Sequence, residues 1–160
     1  MKTCSASLML VLCLIVSGCS KPQQSSVFEM RLVVEGADAG TEEMTLTNEV
    51  GHAGQALPEV LHVQKVPAID QTFVHSASVQ KVSGAPYPYV EIEFTDQGRE
   101  RFAQLTRQSI GKRLAIVVDG KLLSAPKIMA EIPDGKAWIA GRLTQQEASD
   151  LAKKISSAAK

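Results

Sequence analysis

No cysteine occurs after position 19, because Cys4, Cys13 and Cys19 are the only three in the chain. The remainder has no thiol for a disulfide, a thiolate metal site or a cysteine nucleophile, so its fold must stand on an apolar core. Surplus charge is missing as well, with 17 basic residues facing 17 acidic ones. That balance excludes nucleic acid as an expected partner, since neutralising phosphates takes a basic excess on at least one face. Nor is there a long hydrophobic run. Leu8 to Val16 is an apolar stretch of nine residues, whereas crossing a bilayer takes about 20. The sequence contains no Gly-x-Ser-x-Gly elbow, Walker loop or dinucleotide fingerprint. Asp119 belongs to an Asp-Gly pair whose turn chemistry already accounts for it, and Ser124 has no evident His or Lys partner. No catalytic residue, cofactor or small-molecule substrate is therefore expected. His52, His62 and His75 lack the close pairing, with carboxylate or thiolate companions, that a zinc site needs, so no metal is expected either.

The start of the chain reads as a secretory signal over residues 1–18. Lys2 supplies the positive end and Leu8 to Val16 the apolar segment. Val16-Ser17-Gly18-Cys19 resembles a bacterial lipobox, which places cleavage between Gly18 and Cys19 and a diacylglycerol on the Cys19 thiol. A partner membrane then follows from the lipid, each buried acyl CH₂ contributing about 0.8 kcal/mol. By analogy with lipoprotein sorting, Ser20 after the cysteine favours the outer membrane, with the inner membrane as the alternative. Residues 19–26 form a polar, flexible tether, and residues 27–160 form one domain.

Alternation sets the reading of that domain. Phe28, Met30, Leu32 and Val34 alternate with Glu29, Arg31 and Glu35, as in a half-buried strand. Residues 36–54 show no sustained period and read as a surface excursion. Val60 to Val66 and Phe73 to Val82 read as edge strands with mixed faces. Val90, Ile92 and Phe94 point inward on the next strand, leaving Glu91 and Glu93 solvated, where little should move their pKa. Thr95 or Asp96 caps a helix through Ile110, with Phe102, Leu105, Thr106 and either Ser109 or Ile110 on its inner stripe. Thr144-Gln145-Gln146-Glu147 is a capping box that opens a second helix carrying Ala148, Leu151, Ala152 and Ile155.

The most informative stretch lies between the helices. Gly111 suits a helix stop, Leu114 to Val118 is apolar on both alternating faces, and Asp119-Gly120 is a hairpin signal because a type I′ turn needs positive φ at both central residues. Ile128, Ala130 and Ile132 alternate in turn, then Pro133-Asp134-Gly135 leads to Ala137 to Ala140. With Leu114 to Val118 these are expected to form a three-stranded meander. The whole is expected to be α+β, a mostly antiparallel sheet with two helices packed on one face.

The run Gly111, Lys112, Arg113 before the strand, Asp119-Gly120 at the turn, and Ser124, Ala125, Pro126 after it resembles the signature of SecD and SecDF protein-export membrane proteins. The likeness is to the head subdomain of their large periplasmic domain, and it extends over most of the chain after residue 26. It implies a non-catalytic module that contacts extended polypeptide on the outer side of the inner membrane. Met129 and Trp138 are the expected peptide contacts, beside Pro126, although Trp138 is slightly better read as packed under a helix. An alternative is a structural or inhibitory docking protein for one folded envelope partner. Arg142 and Ala140 stand where the family tends to be Gly-rich.

Overall fold

The structure is a computed structural model describing residues 26–46 and 58–159. The signal segment, Cys19, most of the tether and His52 lie outside the described residues. In chain order the elements are β1 (Phe28–Val34), β2 (Thr41–Leu46), β3 (Glu59–Gln64), β4 (Ile69–Asp70), β5 (Val74–Gln80), β6 (Tyr89–Phe94), α1 (Asp96–Gln108), β7 (Leu114–Val118), β8 (Lys121–Ser124), β9 (Lys136–Ala140) and α2 (Gln145–Ala158). All pairings among these strands are antiparallel. The α+β expectation holds, with the strands divided between two sheets. One runs β2-β3-β1-β7-β8 with β4 also on β1, and the other runs β5-β6-β9. Among the described residues no helix is long and apolar enough to cross a membrane.

All five residues of β7 are buried. Leu114, Ile116 and Val118 join the main core with Phe28, Met30, Ile92 and Phe102, while Ala115 and Val117 face a second core with Leu61, Val63 and Leu122. A strand apolar on both faces is covered on both, as its sequence requires. The chain then turns at Asp119 (φ 49°) and Gly120 (φ 73°), the two positive values of the expected turn. Both helices close the inner face of the second sheet. Phe102 of α1 meets Phe94 with ring centroids 5.0 Å apart, and Ala148, Ala152 and Ile155 of α2 enter the core that also holds Val90, Ile92 and Ile139. The capping box forms as read. Thr144 Oγ1 accepts from the Glu147 N–H at 3.2 Å, and Glu147 Oε2 accepts from the Thr144 N–H at 2.7 Å.

Helix α1 starts where Thr95 donates its N–H to the Phe73 carbonyl and its Oγ1 accepts from Gly98. This start brings the helix hard against Phe73. A Cβ on Gly98 would lie 2.5 Å from the Phe73 carbonyl oxygen and 3.0 Å from the Phe73 and Phe94 Cβ atoms. Gly98→Ala gains about 1 kcal/mol of helix propensity but forces backbone apart, an overpacking cost of about 1–3 kcal/mol. The clash is with backbone and not with a flexible side-chain end, so the cost should prevail. Urea denaturation is expected to show a net loss of up to about 2 kcal/mol, and a raised midpoint would refute the close approach.

Five expectations need correction. The meander does not form: β9 pairs with β6, and residues 128–132 are not a strand. Pro126 and Pro133 lack N–H groups, Lys127 makes an isolated bridge to Arg113, and the Ile132 N–H is taken by Thr106 Oγ1 at 3.0 Å, so the segment docks on α1. The excursion at 36–54 contains β2, whose period is masked by Glu42 on its inward face. The segment at 60–66 is no edge, because β3 lies between β2 and β1. The polar face of β1 is not solvated either: Glu29 and Arg31 are 7% and 8% exposed. Helix α1 stops at Gln108 and not at Ile110: Ser109, its C-cap, is the buried end of the inner stripe, while Ile110 is exposed beyond the helix.

Candidate functional site

The motif residues after α1 act as a clamp. Gly111 (φ 87°) gives its N–H to the Ile128 carbonyl, and the Lys112 carbonyl accepts from Ile128, each at 2.8 Å. Arg113 donates Nε to the Ala125 carbonyl at 2.9 Å and its two terminal nitrogens to Glu59 at 2.6 and 3.1 Å. That bidentate contact holds the Glu59 carboxyl below its ordinary range. The Pro126 carbonyl accepts from Leu114 at 2.9 Å, Ala125 is buried in the second core, and Ser124 lies opposite Ile116 where the β7–β8 register shifts. Asp119, at the turn, pairs with Lys154 of α2. These residues bring residues 125–128 alongside β7 and then release the chain. His62 lies beside Glu43 in the first sheet, while His75 is exposed in the second, so the two do not converge.

Beyond the clamp, residues 126–132 form one wall of a groove of about 470 Å³, and Lys136 to Trp138 of β9 form the other. Its floor is apolar, made by Met30, Phe102, Leu114 and Ile116. Thr106, buried at the same place, donates to the Phe102 carbonyl at 2.8 Å while accepting from Ile132, which fixes the wall to α1. Pro126, Met129 and Trp138, the residues singled out from sequence, all line this groove. Met129 is 76% and Trp138 60% exposed, so Trp138 is not packed under a helix. Ala137 and Ile139 already fill the inner face of β9, and alternation turns the indole out.

Trp138 is nonetheless held in place. Its Nε1–H donates to Glu91 Oε2 at 3.1 Å, its ring meets Tyr89 at 5.6 Å, and Lys136 Nζ reaches Glu91 Oε1 at 3.1 Å. Glu91 was thus missed as a site residue. Its role depends on β6 and β9 being neighbours, which no local pattern reveals. Lys136 and then Trp138 hold the Glu91 carboxyl below its ordinary 4.5, correcting the expectation of no movement, and Glu91 holds Lys136 above its ordinary 10.5. Glu91 therefore contributes fully above pH 4.5 and loses its contribution as pH falls through its lower folded-state value. Lys136 contributes fully below pH 10.5 and loses its share as pH rises through its higher one. In thermal melts, Glu91→Gln is expected to lose less stability than the parent as pH drops below 4.5. Parallel acid limbs would refute the assignment.

Known proteins share this architecture. The family described as SecDF, P1 head subdomain, matches residues 43–159. The protein translocase subunit SecD of Sebaldella termitidis is 34% identical over 137 residues, covering 84% of this chain and 34% of its own length. The protein translocase subunit SecDF of Thermus thermophilus is 36% identical over 138 residues, covering 81% of this chain and 18% of its own. A solved structure described as a membrane component SecDF that enhances protein export superposes with a TM-score of 0.62 at 31% identity, covering 82% of this chain and 62% of that one. SecDF in a super-membrane-facing form gives 0.63 at 32% identity, covering 82% and 19%. The chain spans about a third or less of these curated relatives. Fold, signature and sequence agree over most of its length, and the chain belongs to the SecDF P1 head subdomain family.

Proposed function

We propose that this chain is a periplasm-facing lipoprotein, anchored through Cys19, whose head-like domain binds polypeptide in connection with protein export or envelope protein handling. Residues 1–18 serve as the signal and residues 19–26 as the tether, with the outer membrane favoured by Ser20. The observation that carries the reading is the groove: an apolar floor beside a sheet edge, with Met129 and Trp138 exposed at its rim. Exposed large apolar side chains around a concave apolar surface favour an apolar partner, and an open edge offers backbone bonds to an extended one. The translocase names of the relatives support a polypeptide as that partner. Of the motif residues only Pro126 lines the groove; the others brace the chain around it and are assigned no contact of their own.

The test is photo-crosslinking in intact cells from position 129 of the lipidated chain, with Cys19→Ser as the unanchored control. A heterogeneous set of unfolded clients, more than from a probe at exposed Val66, is the expected result. One stoichiometric folded partner would replace this reading with the docking one. Yields no higher than from position 66 would refute the groove as the site.

A further inference from the structure

The free edge of β9 presents a defined half of its backbone. The Phe94 N–H donates to the Gly135 carbonyl at 2.9 Å, and the register continues through Glu93↔Lys136, Ile92↔Ala137, Glu91↔Trp138 and Val90↔Ile139. Hydrogen-bonded and non-bonded pairs alternate along an antiparallel ladder. Ala137 and Ile139 therefore bond to β6, while Lys136, Trp138 and Ala140 direct their N–H and C=O groups to the other side. Among the described residues no strand pairs there.

A strand laid on this edge would bond to the backbone of Trp138 through the residue directly opposite it. Opposite residues share a face, so that residue's side chain lies beside the outward indole. Its two neighbours in sequence then point to the inner side, toward the groove floor of Met30, Phe102, Leu114 and Ile116. At about 470 Å³, the groove falls within the roughly 300–1,000 Å³ of ligand sites and has room for more than one side chain. The floor carries no charge, and the rim does. Asp134 Oδ1 accepts from the Lys136 N–H at 3.2 Å, whereas Lys127, exposed beside Pro126, makes none of the ion pairs present among the described residues. A flanking carboxylate complements Lys127.

We infer that the groove selects extended segments with period-two alternation: apolar side chains at every second position entering the groove, polar ones between them facing outward beside Trp138, and an acidic residue at the Lys127 end. The inference rests on the polypeptide-binding reading and specifies its substrate class. A helical apolar segment does not match, because its backbone groups are already bonded internally and leave the β9 edge unpaired.

Trp138 is the chain's single tryptophan, so its fluorescence reports on this edge directly. The full chain is titrated with a synthetic ten-residue alternating peptide ending in Asp, and with an isomer of the same composition whose apolar residues are contiguous. Two further peptides carry N-methyl groups on alternate backbone amides, in opposite parity. The alternating peptide is expected to bind about tenfold tighter than its isomer, and methylation of one parity to weaken binding about tenfold while the other leaves it unchanged. Lys127→Glu is expected to exchange the preference for a terminal Asp for one for Lys. Equal binding of both isomers, or equal effects of both parities, overturns the inference and leaves the polypeptide reading standing. If none of the peptides binds while the protein remains folded, both fall.

Discussion

Arg31→Ala is expected to destabilise the domain by about 3–5 kcal/mol. Arg31 Nη2 and Nε lie 2.5 and 2.6 Å from Glu29 Oε2, and Nη1 reaches Glu42. Glu29 and Arg31 lie on the face of β1 opposite Val117 and Ala115, next to the second core, with side chains 9% and 10% exposed. Truncating the arginine leaves the Glu29 carboxylate buried without its cation, whereas Glu42, 43% exposed, can be solvated. Against a total of about 5–15 kcal/mol for a typical domain, that loss is large. The paired variant Glu29→Leu/Arg31→Met removes both charges and keeps the volume, so it should recover most of the stability. Urea curves for the parent, the single and the double variant decide the matter. A single variant no worse than the double would mean that Glu29 reaches water and that the pair is not buried as described.

The same residues show where sequence reading stops. The face of β1 that holds Phe28, Met30 and Leu32 was legible because apolar alternation is local. The burial of Glu29 and Arg31 was not, since it depends on the β2–β3 ribbon, whose own inward Glu42 conceals its period. The β7 run and the Asp119-Gly120 turn were legible because their chemistry lies within a few residues. The partner of β9 was not: Ala137 and Ile139 alternate equally well for β6 or for a meander, and only the prolines at 126 and 133 argued against the latter. The candidate site was legible in part for the same reason. Met129 stood out as the apolar residue alternating with Lys127 and Glu131, and Trp138 as the chain's single tryptophan, but Glu91, 47 residues before its indole partner, required the sheet order first.

Phe28→Ala is expected to cost about 3–5 kcal/mol, the range for emptying a buried phenylalanine site. Phe28 is 0% exposed and sits at the start of β1, opposite Val118 in the main core. The backbone around it cannot readily collapse into the space. The Val27 carbonyl accepts from the Asp119 N–H at 3.0 Å and the Val27 N–H donates to Gln71 Oε1 at 2.5 Å, so β1 is fastened to the β7–β8 turn and to the 3₁₀ turn after β4. A site held on both sides keeps its cavity, which places the cost toward the upper end of the range. Phe28→Leu retains much of the apolar volume and should lose clearly less. Because the cavity lies within the main core and the change leaves the sheets' pairing intact, the urea m-value should stay near that of the parent while the midpoint falls. A loss below about 1 kcal/mol for Phe28→Ala would show that this end of β1 relaxes freely. The core would then not extend to the start of β1.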